Sequence, residues 1–224
     1  MKAKPALLSK PYWITVVQLP IYHITHIHNL ESIISAGGLL AYNAMRAAGT
    51  EYTNIAYENI QDRRARIRVP CGAGGVLHDY VPFYFAPRSP MLYTINKGNV
   101  TSYTEGQAAV IHLVSDVEDI DAVGLDFVFT DGHAIMTFTD FFDDLNYLGA
   151  IDWDVMKSRY WNDTNEDNDR KRRRQAEFLV HKFLGWELIE EIGVINSTIK
   201  AQTENILQNF THKPSVIVRN NWYY

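Results

Sequence analysis

Short apolar runs alternate with polar segments along the whole chain. Residues 12–17 alternate and are rich in β-branched and aromatic types, which predicts a strand. If residues 21–27 are extended, His23 and Thr25 share one face. Leu30, Ile33 and Ile34 then have helical spacing, with Asn29 as the expected N-cap, Glu31 in the first turn, and Gly37 and Gly38 as the stop. Residues 39–53 read as a loop holding Tyr42 and Asn43. Residues 54–68 read as a helix that becomes cationic through Arg63, Arg64, Arg66 and Arg68 and is ended by Pro70. The glycine-rich segment 71–75 lacks the Gly-Lys-Ser/Thr of a phosphate loop and reads as a connector.

Residues 81–85 predict an aromatic strand in which Pro82 demands an edge or bulge. Pro90 suits the first position of a helix, so Tyr84, Arg88 and Tyr93 gather at one strand–helix junction. Residues 108–114 and 127–130 predict buried strands, the second closed by Asp131, Gly132 and His133. Residues 140–148 and 152–161 have Asp caps and read as helices, and 162–169 as an acidic loop. Then come Arg170, Lys171, Arg172, Arg173, Arg174, Gln175, Ala176 and Glu177, directly before the apolar strand 178–180. A strand within 186–195, a helix at 197–208 and a strand at 214–218 complete the series. The terminal Trp222, Tyr223 and Tyr224 are apolar enough to pack down. Short strands scattered among helices imply an α+β class, and 224 residues without repeat or linker imply a single domain, 1–224.

Charge changes this picture in one respect. The net charge of −5 argues against a uniformly basic nucleic-acid binder, but positive charge gathers at 63–68 and 170–174 while acidic residues gather elsewhere. That segregation fits a basic cleft on an acidic body. Taken alone, the run at 170–174 reads as solvated. The single Cys71 excludes an internal disulfide and a multi-cysteine metal site. His26 and His28 lack any H-E-x-x-H companion, so no metal is expected and a satisfied, partly buried His is the commoner outcome. No apolar run has membrane-spanning length, and no signal-like stretch follows the first lysines, so a cytoplasmic protein without membrane contact is expected.

Several blocks, in order, resemble the DarT-type DNA ADP-ribosyltransferase toxins. They are Tyr-His-Ile-Thr-His-Ile-His-Asn at 22–29, Ile-Gln-Asp-Arg-Arg at 60–64 and Gly-Gly-Val-Leu-His-Asp-Tyr-Val-Pro-Phe-Tyr at 74–84. Pro-Arg-Ser-Pro-Met-Leu-Tyr at 87–93, residues 129–133 and Gln-Ala-Glu-Phe-Leu-Val at 175–180 complete the set. The likeness is greatest to the thymidine-modifying branch. It implies an ADP-ribosyltransferase fold of two packed, mostly antiparallel small sheets, with NAD⁺ in the cleft between them. It also implies transfer of ADP-ribose to a base in single-stranded DNA, release of nicotinamide, and a macrodomain antitoxin that removes the modification. A monomer is expected.

On the same resemblance Glu177 is the catalytic glutamate, and Arg64 rather than Arg63 is the arginine that matters. His23 and Thr25 lie on the NAD-contacting strand, with Asn29 beside them. The loop with Tyr42 closes over the cofactor, and Tyr84 and Tyr93 lie near the nicotinamide or the base. Arg88, Tyr93, Arg170, Arg172, Arg173 and Arg174 would face DNA. Chemistry supports the division. Loss of a cationic nicotinamide leaves an oxocarbenium-like centre that a carboxylate stabilises. The thymine imide nitrogen must lose a proton, and His133, Arg64 and Glu177 are the three candidates to take it. Tyr84 as plain strand core and His133 as a turn cap are the alternatives for those two. Transfer to RNA or protein, or a non-catalytic NAD- or DNA-binding module, are the alternatives for the whole.

Overall fold

The structure, a computed structural model, describes residues 18–50, 52–55 and 58–224. The strand expected at 12–17 lies outside them. The strands are β1 (Pro20–His26), β2 (Gly38–Leu40), β3 (Tyr80–Tyr84), β4 (Val110–Asp116), β5 (Phe127–His133), β6 (Phe141–Phe142), β7 (Ala176–His181), β8 (Phe183–Gly185), β9 (Glu191–Val194) and β10 (Ser215–Val218). The helices are α1 (Leu30–Ser35), α2 (Tyr42–Ala47), α3 (Glu58–Arg64), α4 (Pro90–Asn96), α5 (Val117–Ala122), α6 (Trp153–Lys157), α7 (Arg170–Arg173) and α8 (Ser197–Leu207).

Eight strands form one sheet in the order β10-β9-β4-β1-β3-β7-β5-β6, and β2 pairs with β8 separately. All pairings are antiparallel except β9 with β10. The eight-stranded sheet is nearly two. β1 pairs with β4 along its whole length, from Pro20↔Asp116 to His26↔Val110, and β3 pairs with β7 from Tyr80↔His181 to Tyr84↔Glu177. Between them β1 and β3 share one register pair, Tyr22↔Tyr84. Pro82 explains the split, because it has no N–H to offer β1 and a proline is tolerated only where a ladder bond is absent. Its carbonyl is taken instead by the His23 ring, Nδ1 to O 2.8 Å. The two expected sheets are therefore halves of one sheet that diverge past a single bridge, and the wedge between them is the cleft.

The core lies against this sheet. Leu30, Phe83, Leu113, Phe129, Phe178 and Ile192 have no exposed surface. Stacked or edge-on rings fix the β5–β7 end, including Phe127 on Phe178 and Phe85 on Trp153.

Five expectations change. Residues 39–53 are not a plain loop, because α2 forms there on alanine propensity without a buried residue or a side-chain cap. Residues 140–148 are not a helix, because Phe141 and Phe142 pair with Thr130 and Phe129, and Phe142 stacks on Phe129. Tertiary pairing outweighs helical spacing there. The helix at 152–161 is shortened to α6, although Asp152 does cap it through Val155 N–H at 2.9 Å. Asn29 precedes α1 but caps nothing with its side chain. The basic run forms the single turn α7 rather than a loop.

Candidate functional site

Glu177 is the second residue of β7, opposite Tyr84 of β3, and is only 3% exposed. Its Oε2 accepts from Arg64 Nη1 at 2.7 Å and its Oε1 from the Ala134 N–H at 3.2 Å. Its own N–H donates to Thr130 Oγ1 at 3.0 Å, and that hydroxyl donates to the Gly132 carbonyl at 2.7 Å. The β5–β7 register shifts between Phe129 and His133, and this irregularity turns the Ala134 N–H toward the carboxylate. A carboxylate so far from water survives only with a cation and further donors. Arg64 closes α3 and is 8% exposed, whereas Arg63, one helical step of about 100° away, is exposed and donates to the Ile135 carbonyl at 3.0 Å. Arg64 Nη2 is buried and has no partner. One nitrogen holds Glu177, and the other is left for a ligand.

Two compartments meet at this pair. The larger encloses, with its open mouth, about 1110 Å³ and is lined by His23, Thr25, Asn29, Tyr42, Tyr52 and His78 among others. The smaller reaches His133, Gln175 and Glu177. Gln61, Arg64, Pro82, Tyr84 and Met91 line both. Cofactor sites have this size and this mixture of apolar wall and few polar groups.

The polar groups have defined roles. Because a carbonyl only accepts, His23 carries its proton on Nδ1 and presents a bare Nε2 as an acceptor. Burial pushes its pKa down, against the Pro82 hydrogen bond, so the ring is neutral. Thr25 accepts from Asn29 Nδ2 at 3.1 Å. Asn29 also donates to the Thr53 carbonyl at 2.9 Å and accepts the Thr53 N–H at 2.7 Å. Its amide thus pins the 52–55 segment, while Asn29 itself lines the larger compartment. The Tyr42 ring lies 4.2 Å from that of His78, whose Nε2 meets Gln61 Oε1 at 2.9 Å. Tyr84 is held protonated, its pKa raised first by burial and then by the Glu177 charge. His133 is pushed down by burial above all, with Arg64 and Arg63 adding to that and Glu177 opposing it. Gln61 and His78 were not singled out by sequence. Gln61 sits three residues before Arg64, on the same face of α3, and that spacing is the signal that finds it.

The basic run is paired largely within the protein. Arg172 is held by Asp169 (2.8 Å) and Asp131 (2.9 Å), and Arg173 by Asp152 (2.6 Å) and Asp167. Arg170 donates to the Tyr160 carbonyl at 2.8 Å. Arg174 is 4% exposed and donates to the carbonyls of Val155 (2.7 Å), Ser158 (3.2 Å) and Arg88 (3.0 Å). These contacts tie the four arginines into the frame behind Glu177. Tyr93 lines neither compartment, since its ring packs edge-on against Trp161 and Tyr224. Arg88 lies across the Tyr224 ring, 4.3 Å from its centre. His26 is a satisfied core histidine, with Nε2 on Glu105 at 3.3 Å and Nδ1 accepting the His28 N–H. Among the described residues no group of three or more His, Cys, Asp or Glu is placed to hold a metal.

Known proteins share this fold. The family model described as ssDNA thymidine ADP-ribosyltransferase, DarT, matches residues 22–224. A DNA ADP-ribosyl transferase of Thermus aquaticus is 48% identical over 206 residues, which is 91% of this chain and 88% of the relative. The structure of Thermus sp. 2.9 DarT in complex with ADP-ribosylated ssDNA aligns with a TM-score of 0.86 at 45% identity, covering 92% of this chain and 96% of that one. Its complex with NAD+ aligns with a TM-score of 0.83 at 43% identity, covering 92% and 98%. A cleft between half-sheets with a buried Arg64–Glu177 pair at its joint and a family match across nearly the whole chain lead to one assignment: this protein belongs to the DarT family of ADP-ribosyltransferases.

Proposed function

We propose that this chain, acting as one domain, is the toxin of a toxin–antitoxin system that transfers ADP-ribose from NAD⁺ to thymidine in single-stranded DNA. The observation that carries the reading is the Arg64–Glu177 pair, buried where two compartments meet, with one arginine nitrogen unspent. NAD⁺ occupies the larger compartment and the target base the smaller. In the reaction the bond between nicotinamide and its ribose breaks, the thymine imide nitrogen bonds to the same anomeric carbon, and the imide proton leaves to a base. Glu177 faces the developing positive charge and Arg64 Nη2 an anionic oxygen of the substrate. His23 Nε2 accepts from a ribose hydroxyl. Tyr84, kept protonated, donates.

His133 takes the proton. Glu177 and Arg64 are engaged with one another, while His133 lines the smaller compartment and is neutral at pH 7 because its pKa is depressed. Transfer is therefore expected to fall as pH drops through a value below the ordinary ~6.5 of histidine, since only the unprotonated ring accepts. His133→Asn should lower kcat/KM by about 10²- to 10⁴-fold and remove that acid limb. A profile of kcat/KM against pH for both proteins checks this, and an unchanged limb in the variant assigns the base elsewhere.

The whole reading is tested by incubating the protein with NAD⁺ and single-stranded oligonucleotides of varied sequence, followed by mass spectrometry. One added ADP-ribose on thymidine is the expected product. Labelled protein or RNA with unmodified DNA would sink it. The product carries an ADP-ribose group on a base, the chemistry a macrodomain antitoxin recognises and removes. A cytoplasmic enzyme that meets its DNA there fits a chain in which no described helix is long and apolar enough to cross a membrane.

A further inference from the structure

With the basic run consumed internally, the cations left open beside the catalytic cleft lie elsewhere. A groove on the far side of the loop before α4 is lined by Arg88, Lys157, Arg159 and Arg174, by Asn220 and Asn221, and by the rings of Trp222 and Tyr224. No acidic residue lines it. Lys157 and Arg159 are exposed and make no ion pair with a described residue. Two further polar atoms lack partners: Arg88 Nε, and Nε of Arg174, a side chain more than nine-tenths buried. With its open mouth the groove encloses about 1210 Å³, far more than one inorganic anion fills.

The groove is joined to the reaction centre by short stretches of chain. Arg88 follows Tyr84 by four positions and Arg174 precedes Glu177 by three. Pro90 and Met91 line the catalytic compartment while Pro87 and Arg88 line the groove, so one loop separates the two. Tyr224 fixes that loop, donating from its hydroxyl to the Arg88 carbonyl at 3.0 Å and accepting from Trp161 Nε1 at 3.1 Å.

Resting on the DNA-transferase reading, we propose that this groove is a second nucleotide subsite. It takes a backbone phosphate flanking the target base between Arg88, Lys157 and Arg159, with the neighbouring base against the Tyr224–Trp222 edge. Cations spread over separate segments beside aromatic faces are what a single strand requires. A compact free anion needs only a single focus of donors.

The experiment compares the full chain with the double variant Lys157→Ala/Arg159→Ala, whose side chains are exposed and unpaired, so folding is retained. The affinity for a thymidine-containing oligonucleotide of about twelve nucleotides is measured across a salt series. Each lost phosphate contact should reduce the slope of log affinity against log salt by about 0.7, giving a reduction of about 0.7 to 1.4 for the variant. An oligonucleotide of about four nucleotides, too short to span both compartments, should show a smaller change. An unchanged slope on the longer strand overturns the proposal. So does displacement of that strand from the unaltered protein by inorganic phosphate at constant ionic strength, which would make the groove a free-anion site. Mass spectrometry of the same mixtures with NAD⁺ separates the two readings. Modified oligonucleotide with an unchanged slope fails the groove alone. A reduced slope with unmodified oligonucleotide supports the groove and fails the transferase reading.

Discussion

Glu177→Gln is expected to lower ADP-ribose transfer at least about 10³-fold while the fold survives. Glutamine keeps the shape of the side chain and an oxygen to accept from the Ala134 N–H or from Arg64, so the frame built by Thr130, Gly132 and the β5 irregularity stays in place. What is lost is the negative charge. In a site this dry, a fixed charge aimed at an oxocarbenium-like centre acts with little screening, and single groups of this kind contribute factors of about 10²–10³. Glu177 also neutralises Arg64, so its loss places an unopposed cation beside a cationic transition state, which raises the factor further. The measurement is single-turnover transfer to an oligonucleotide, paired with NAD⁺ titration. Binding should change little, because most of the larger compartment is untouched. Transfer within tenfold of the unaltered protein would remove Glu177 from the chemistry.

Arg64→Ala should cost both activity and stability. The guanidinium is the cation paired, at 2.7 Å, with a carboxylate only 3% exposed. Removing one partner of a buried pair typically destabilises by about 3–5 kcal/mol. The Ala134 N–H alone cannot replace it. Transfer falls as well, since Nη2 is the free donor at the joint of the compartments. The combination Arg64→Met/Glu177→Leu separates the effects, because well-packed apolar groups often match or exceed the stability of the pair they replace. Thermal melting should recover most of the loss in the double variant, with activity absent in both. Equal stability losses in the single and double variants would show that the pair's burial is not the source of the effect.

Much of this architecture is written locally in the chain. Residues 108–114 and 127–130 are apolar and β-branched or aromatic, and they became β4 and β5 because such runs have few other stable solutions. Pro90 and Ser89 began α4 as their chemistry dictates, Ser89 Oγ accepting the Leu92 N–H at 3.1 Å. Pattern could not separate Arg63 from Arg64. Both fall in a cationic helix end, and only the sheet's position decides which one turns inward. The ion-pair partners of the basic run were legible only in part, for a related reason. Three of its partners, Asp163, Asp167 and Asp169, stand immediately before it in the acidic loop and were legible as complementary charge. The others, Asp131 and Asp152, arrive from distant segments that only the fold brings near. The groove at Arg88 was invisible for the same cause, being assembled from four separated stretches. Asn29 had the composition of a cap, but the backbone of Thr53 offered it two bonds at once.

The distance along the chain between Arg64 and Glu177 has a bearing on how the protein is made. The pair spans 113 residues, and the residues facing the larger compartment, His23 to Met91, all precede its second half. A ribosome-bound chain that has not yet released β7 therefore carries the cofactor-facing wall without the negative charge that drives the chemistry. Long-range contacts of this kind are closed late, since loop entropy must be overcome first. The ion pair that joins the two compartments can therefore form only after the segment carrying Glu177 has been made.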